Sequence, residues 1–311
     1  MAERSRWHPV SLAEWALLAS VFRLFALAPA SWAYALGEGA ARLAYALDGR
    51  HRRIAEDNLT QALGGELAKG QVAALARAVF ANLGRTVVDV ARSGRLLQSG
   101  ALAGSRVQGM DRLLAARGRG KGVLIITAHF GPWELLPLMA ALRYEPIHVV
   151  ARPMDNPWVD DLLTRMRERG GNRVIRKRDA LPAILKVLRQ GQTVGILIDQ
   201  HVTERDGVVV PFFGLPASTV SAPALLALRS GAAVLPAGIL REGREQFCVR
   251  IGEEVPLERT GDLKTDIVRN TARFTAALEH LIRLRLDHWF WVHRRWKTDK
   301  GIDERLREVV E

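Results

Sequence analysis

His129 and Glu134, in the segment ITAHFGPWELLP, are the residues whose types and spacing best suit chemistry. An imidazole held at one nitrogen by a carboxylate keeps a fixed tautomer, and its other nitrogen can take a proton from a hydroxyl nucleophile. Residues five apart on a straight helix diverge by about 140°, so a pair lying wholly on a helix could not meet. Gly131 permits an unusual turn and Pro132 suits a first helical turn, so His129 in the preceding turn escapes that geometry and Glu134 can face it. The plainer alternative is a helix-capping Glu beside an incidental histidine.

The elements that must position this pair are legible around it. Five short apolar runs predict strands: VLIIT (123–127), IHVVA (147–151), TVGILI (193–198), AVLPAGIL (233–240) and QFCVRI (246–251). Amphipathic stretches around 132–143, 156–170, 179–190 and 217–230 predict helices between them, and 263–286 predicts a last one. Such alternation predicts an α/β fold, a layered central sheet flanked by helices. Residues 46–104 are helical in pattern throughout. The expected organisation is a membrane-associating helical segment at 1–45, a helical subdomain at 46–104 and an α/β catalytic domain at 105–311.

Open α/β sheets collect ligands beyond the carboxyl ends of their strands. Three apolar runs end in polar or titratable residues there: His129 after VLIIT, Asp199-Gln200-His201 after TVGILI, and Arg152-Pro153-Met154-Asp155 after IHVVA. Asp199 and Gln200 are expected to support the cleft by hydrogen bonding, with a structural Asp turn as the alternative. Arg152 is the side-chain candidate for steadying an oxyanion, against simple solvation. Arg165, Arg167, Arg169, Arg173, Arg176, Lys177 and Arg178 form a basic run that fits phosphate or sugar-acid recognition, or docking of an acidic carrier protein; a solvated face is the plain reading. The substrate-binding candidates are therefore Arg152, Arg176, Asp199 and Gln200. No metal is expected, because His129, Asp199 and His201 supply too few acidic ligands. Cys248, in an apolar run with no histidine beside it, reads as an inert core residue.

Composition narrows the partners. The chain has 311 residues, 48% hydrophobic and 25% charged, with a net charge of +12. Its apolar content excludes disorder as the dominant state, and a single cysteine excludes a disulfide scaffold. Charges are too dense after about residue 38 for a polytopic membrane protein. The basic excess predicts an anionic counterpart. Residues 12–37 form an apolar run broken only by Glu14 and Arg23. It is long enough to span a bilayer, but central Arg23 is costly there and Pro29 interrupts the helix. A helix lying in or marginally inserted into a membrane surface is expected, a buried core helix being the alternative. Trp7, Trp15 and Trp32 near one end, and Trp289, Trp291 and Trp296 near the other, accompany basic residues (Arg4, Arg6; Arg283, Arg285, Arg294, Arg295, Lys297, Lys300) and suit the headgroup belt of an anionic bilayer. Nucleic acid is the weakest partner, since neither a metal-finger spacing nor an RNP-type aromatic strand is present.

ITAHFGPWELLP resembles the His-x4-Glu motif of the bacterial lipid A biosynthesis acyltransferases, the lauroyl and myristoyl transferases, and their phosphatidylinositol-mannoside relatives. The likeness continues in order through the N-terminal apolar helix, RRIAEDNL (52–59), ARPMDNPWVD (151–160), ILIDQ (196–200), VPFFGLPAST (210–219) and WFWVHRRWK (289–297). It implies a glycerolipid-acyltransferase-like fold and an enzyme at the cytoplasmic face of the bacterial inner membrane. That enzyme would move a fatty acyl chain from acyl carrier protein, or coenzyme A, to a hydroxyl of a membrane glycolipid such as a lipid A precursor. Carried over, His129 would be the general base and Glu134 its orienting partner. The resemblance implies no resident cofactor, the acyl thioester being a co-substrate. Its implied partners are acyl carrier protein, an anionic glycolipid acceptor and a membrane surface. Two other readings remain: acylation of a lysophospholipid, and a basic membrane-binding protein without catalysis.

Overall fold

The computed structural model describes residues 8–68, 70–177, 180–203 and 205–297. Helices come first: α1 (Pro9–Leu27), α2 (Ala30–Leu47), α3 (Gly49–Leu63), α4 (Gln71–Ala91) and the short α5 (Ser93–Gln98). His8 caps α1 by accepting from the Val10 amide, and Pro9 occupies its first turn, where a missing N–H costs nothing. Pro29 separates α1 from α2, as the sequence predicts. α2 crosses α4 at a point where Gly37 and Gly84 meet, and a Cβ on Gly84 would come to 2.3 Å from the Gly37 carbonyl oxygen. Only glycines let the two backbones approach so closely.

The sheet begins with β1 (Arg106–Gln108), followed by α6 (Met110–Gly118), β2 (Val123–Thr127), α7 (Leu136–Arg143), β3 (His148–Ala151), α8 (Pro157–Arg167) and β4 (Arg173–Arg176). Next come α9 (Ala180–Arg189), β5 (Thr193–Leu197), a hairpin of β6 (Gly207–Phe212) and β7 (Leu215–Val220), and α10 (Ala222–Ser230). The chain ends its regular structure with β8 (Ala233–Gly243), β9 (Gln246–Ile251) and α11 (Leu263–Arg283). Seven strands form one sheet in the order β1-β9-β8-β2-β5-β3-β4, parallel except where β8 and β9 pair antiparallel. The architecture is thus the expected α/β one, a central sheet between helices.

Each face of the sheet buries its own set of alternate residues, as a strand period of two requires. Leu124, Ile126, Val194, Ile196 and Val234 pack on one side into a core shared with α3, α4, α9, α10 and α11. Val123, Leu235, Ile239 and Val249 pack on the other against α6 and α7. A buried polar knot ties α2, α4 and β8 together: Arg241 donates to Asp89 and Asn82, and the Tyr34 hydroxyl donates to Asp89.

Several expectations change. The stretch at 217–230 is not helical throughout, since it opens in β7 and the helix starts only at Ala222. The C-terminal tryptophans are not at an interface. Trp289 and Trp291 are fully buried, and Trp296 packs with them and with Phe212 and Phe213 in one aromatic cluster. Their basic neighbours are largely engaged as well. Arg295 is buried and donates to the Ser218 carbonyl and Thr219 hydroxyl, while Arg283 pairs with Glu66 and Arg285 with Asp287. The other end differs: α1 is long and apolar enough to cross a membrane by length and composition, and it is mostly uncovered. Leu17, Leu24 and Leu27, with Trp32 of α2, stand exposed. Arg4, Arg6, Trp7, Arg178 and Lys300 lie outside the described residues.

Candidate active site

His129 stands two residues beyond β2, and Asp199 two residues beyond β5. The two strands are adjacent and parallel with Thr127 beside Leu197, so equal offsets bring both residues to one level on the carboxyl edge of the sheet. There Asp199 Oδ1 accepts from His129 Nδ1 at 2.8 Å. Its Oδ2 accepts the His129 backbone N–H at 2.9 Å and the Trp289 indole N–H at 2.8 Å. An ionised carboxylate can only accept, so Nδ1 carries a proton, and in the neutral ring Nε2 keeps the lone pair. Gln200 Nε2 lies 3.4 Å from that second nitrogen.

Both partners favour the charged pair. Burial alone pushes the imidazole's pKa down, but the charge and hydrogen bond of Asp199, aided by Glu134, hold it above its ordinary value. Burial pushes the Asp199 carboxyl up, yet His129 and the Trp289 N–H hold it below the usual carboxylate range. A carboxylate that holds an imidazole at Nδ1 in this way leaves an arrangement able to accept a proton on Nε2.

The backbone that carries His129 is clamped from the C-terminal side. Phe290 N–H donates to the His129 carbonyl at 3.1 Å, and Gly131 N–H donates to the His288 carbonyl at 2.8 Å. Asn58 of α3 in turn donates to the carbonyls of Trp291 and His293, both at 2.7 Å. Gly131 adopts φ +58°, and a Cβ there would stand 2.0 Å from the Ile239 carbonyl oxygen. The sharp turn after His129 therefore needs glycine twice over, for its dihedral and for its lack of a side chain. The Trp133 and Phe290 rings flank the imidazole, with centroids 5.2 and 5.9 Å away.

Glu134 does not take up the place expected for it. It lies in the 3₁₀ turn Trp133–Leu135, and no hydrogen bond joins it to His129 among the described residues. The turn at Gly131 aims its carboxylate at α8, where Arg167 donates Nε to Oε2 at 2.7 Å and Nη2 to Oε1. The imidazole is oriented instead by Asp199, placed in the cleft by the sequence but in a supporting role. Trp289, read as interfacial, holds Asp199. The clue to the His129–Asp199 pair was positional: each of two apolar runs is followed within two residues by a titratable one.

A cavity of about 1410 Å³ is bordered by His129. Glu134, Arg167 and Gln200 border it near the imidazole, and so does Thr127, whose buried hydroxyl has no hydrogen-bond partner. Most of the remaining wall is apolar. Arg152 borders the cavity at an exposed position and pairs with Asp155 at 3.1 Å. Arg176 does not border it; it is exposed on edge strand β4 and pairs with Asp160 at 3.2 Å.

The chain is matched over residues 2–298 by the family described as bacterial lipid A biosynthesis acyltransferase. The lipid A biosynthesis lauroyltransferase of Escherichia coli (strain K12) is 28% identical over 207 residues, 65% of this chain and 65% of that protein. This chain therefore spans somewhat less than two thirds of that relative's length. The lipid A biosynthesis palmitoleoyltransferase of the same organism is 27% identical over 70% of each chain. A phosphatidylinositol mannoside acyltransferase of Mycobacterium tuberculosis (strain CDC 1551 / Oshkosh) is 30% identical over 44% of this chain and 45% of its own. Among solved structures, the 1-acyl-sn-glycerophosphate (LPA) acyltransferase from Thermotoga maritima aligns over 88% of this chain and 98% of its own, with 14% identity and a TM-score of 0.35. A match running almost from end to end has one meaning: this protein belongs to the bacterial lipid A biosynthesis acyltransferase family.

Proposed function

We propose that the protein transfers a fatty acyl chain from a thioester donor to a hydroxyl of a membrane glycolipid, a lipid A precursor, at the cytoplasmic face of a bacterial inner membrane. The observation that carries this reading is the Asp199–His129 pair facing a large, mostly apolar cavity. The acceptor hydroxyl approaches Nε2 and gives up its proton as its oxygen attacks the thioester carbonyl carbon. A tetrahedral oxyanion forms. The C–S bond then breaks, the ester is left on the acceptor, and the departing sulfur takes the proton back from the imidazolium. Asp199 stays ionised throughout and stabilises the charged imidazole. The Gln200 amide and the unpartnered Thr127 hydroxyl are the polar groups at hand for the reacting oxygens. Glu134 and Arg167 act as one unit beside the base.

The donor is acyl carrier protein or coenzyme A. Both present a phosphorylated pantetheine arm, and exposed Arg152, Lys177 and Arg205 on the cavity wall fit that charge. The membrane reading draws on the exposed leucines of α1 and the net charge of +12. α1 is also tied to the rim of the cavity. Asn156 Nδ2 donates to the Ser11 carbonyl at 2.9 Å and to Glu14 at 3.0 Å, and Trp15 packs on Trp158.

The test is lipid mass spectrometry of acceptor extracts incubated with the purified protein and a mixed pool of acyl carrier protein and coenzyme A thioesters. A glycolipid that gains one ester-linked chain, and gains none with His129→Ala, is the expected result. Gain by a lysophospholipid alone would replace the acceptor. No transfer from either donor class would overturn the enzymatic reading.

A further inference from the structure

Arg294 and Arg295 stand side by side in the C-terminal segment, the first exposed and the second wholly buried. A guanidinium taken out of water is expensive unless an anion meets it. No carboxylate pairs with Arg295 among the described residues, and its Nε has no hydrogen-bond partner there. Its two other nitrogens donate to neutral groups of β7, the Ser218 carbonyl and the Thr219 hydroxyl. A neutral donor such as glutamine would serve either acceptor and spare the fold a buried charge. Holding the C-terminal segment on β7 therefore does not account for an arginine.

The surroundings of the charge do account for it. Arg295 Cζ lies 5.1 Å from the centre of the Phe212 ring. Phe212 meets Trp289 edge to face with centroids 5.3 Å apart, and the Trp289 indole N–H donates to Asp199 Oδ2. A second path runs along the chain. The Arg295 backbone N–H donates to the His293 carbonyl at 2.8 Å, and His293 Nε2 accepts at 3.2 Å from the backbone N–H of His201, two residues beyond Asp199. Phe212, Trp289 and Asp199 are all buried, so little water screens one charge from the other. Burial pulls the Arg295 guanidinium down to about 10 while the Asp199 charge pulls it back up, and it stays a cation at neutral pH.

We infer that Arg295 is a positioning residue for the transfer reaction: its buried charge favours Asp199 as the carboxylate and opposes a second positive charge on His129, so the base resists premature protonation. The inference rests on the acyl-transfer reading and adds a remote cation to its site. Two influences on the ring then oppose each other, since Asp199 draws a proton on to it and Arg295 keeps one off. The other titratable groups facing the pair are Glu134 of the 3₁₀ turn, Arg167 of α8, His201 after β5 and His293. Burial, with the charges of His129 and Arg295, holds His293 below its ordinary value against the pull of Asp199, so this second imidazole stays neutral beside Arg295.

The experiment compares the full-length wild type with Arg295→Gln, which keeps a donor without the charge, and Arg295→Lys, which keeps the charge. Arg295→Met is the second neutral variant should glutamine prevent folding. Two readouts are followed against pH: the NMR titration of the isotope-labelled His129 ring, assigned by its absence in His129→Gln, and the rate of acyl transfer from the thioester pool. In the neutral variant His129 should take up its proton at a pH higher by about half a unit to one unit, and the rising limb of the rate should move with it. Below the limb that amounts to a loss of rate of about three- to tenfold, with the plateau changed less. Lysine should bring both readouts back toward the wild-type position. An unmoved titration in the neutral variant, or equal shifts with glutamine and lysine, would overturn the inference and leave Arg295 a structural residue. The two readings fail separately. A shifted His129 titration with no transfer by the wild type removes the transfer reading and leaves the coupling standing. Transfer by the wild type with neither titration nor limb moved in the neutral variant removes the coupling.

Discussion

Asp199 holds His129 at two points, with Oδ1 on the ring Nδ1 at 2.8 Å and Oδ2 on the backbone N–H at 2.9 Å. One carboxylate thereby sets the ring's tautomer and also the chain position from which the ring projects. Replacing it disturbs both.

Asp199→Asn keeps the shape but removes the charge, and its amide can offer a donor where Nδ1 needs an acceptor. Turnover should drop by about a thousandfold, with substrate binding changed far less. Trp289→Phe keeps a ring and deletes the N–H that satisfies Oδ2. It should cost stability by about 2 kcal/mol and lower turnover less than Asp199→Asn does. Steady-state kinetics and urea unfolding of the two variants check the order.

The rate should depend on pH through His129. A base must be neutral to act, and this imidazole titrates above its ordinary value because Asp199 favours its charged form. Activity should therefore rise with pH through that elevated pKa. In Asp199→Asn, burial is left to dominate and the limb should move to lower pH. Stability follows the opposite limb for His129: its contribution is full below the unfolded pKa and disappears as pH rises through the folded one. Asp199, held low, contributes above its unfolded pKa and loses that as pH falls through its folded value. The pair should thus stabilise the fold most between about pH 4 and pH 6.5. Melting temperatures of wild type and Asp199→Asn, followed from about pH 3 to about pH 9, should differ most in that window.

Glu134→Gln should destabilise the fold by about 2 kcal/mol, because it leaves the largely buried Arg167 guanidinium without its anion. Arg167→Gln should cost a similar amount. The double variant should lose less than the sum of the two, since each single change leaves the other charge exposed to burial. A double-mutant cycle by denaturant titration reads this coupling, and simple additivity would mean the pair is not acting as a unit.

Gly131→Ala should damage the site more than its size suggests. The residue has φ +58°, and the new methyl would overlap the Ile239 carbonyl. The turn must shift, and His129 with it. Destabilisation of about 2–3 kcal/mol is expected, with turnover lost even in the folded fraction. Retained activity at full stability would contradict the role given to this turn.

Most strands that an apolar run announces were legible: β2, β3, β5 and β9 fall within the predicted runs, and β8 covers its run and continues to Gly243. β6 escaped although it carries the apolar run at 208–210, and the other strands that escaped carry no such run. β1 is Arg-Val-Gln, and β4 is a Val-Ile pair enclosed by arginines inside a basic stretch, so charge hid it. β7 escaped because Ala217 and its small neighbours run into the apolar pattern of α10, and only Pro223 in the first turn marks the true start. Within the site, His129 and the cleft residues could be read from their places after apolar runs. Their pairing could not, because it depends on β5 lying beside β2 across seventy residues. Proximity in sequence favoured Glu134, and sheet order favoured Asp199. The tryptophans at 289 and 291 alternate as inward residues of extended chain do, a signal outweighed by the basic residues around them.

The clamp formed by residues 288–293 carries a consequence for the order of events during synthesis. A ribosome delivers α1 first and this clamp nearly last of the described chain, after every strand of the sheet. A nascent chain can thus fold its helices and offer its apolar face to a bilayer while Asp199 still lacks the indole of Trp289, and while the Gly131 turn lacks the His288 carbonyl. A chain stalled before residue 288 possesses His129 and the cavity floor but no settled base. Products truncated before residue 288 should therefore show no turnover, whether or not they reach a surface.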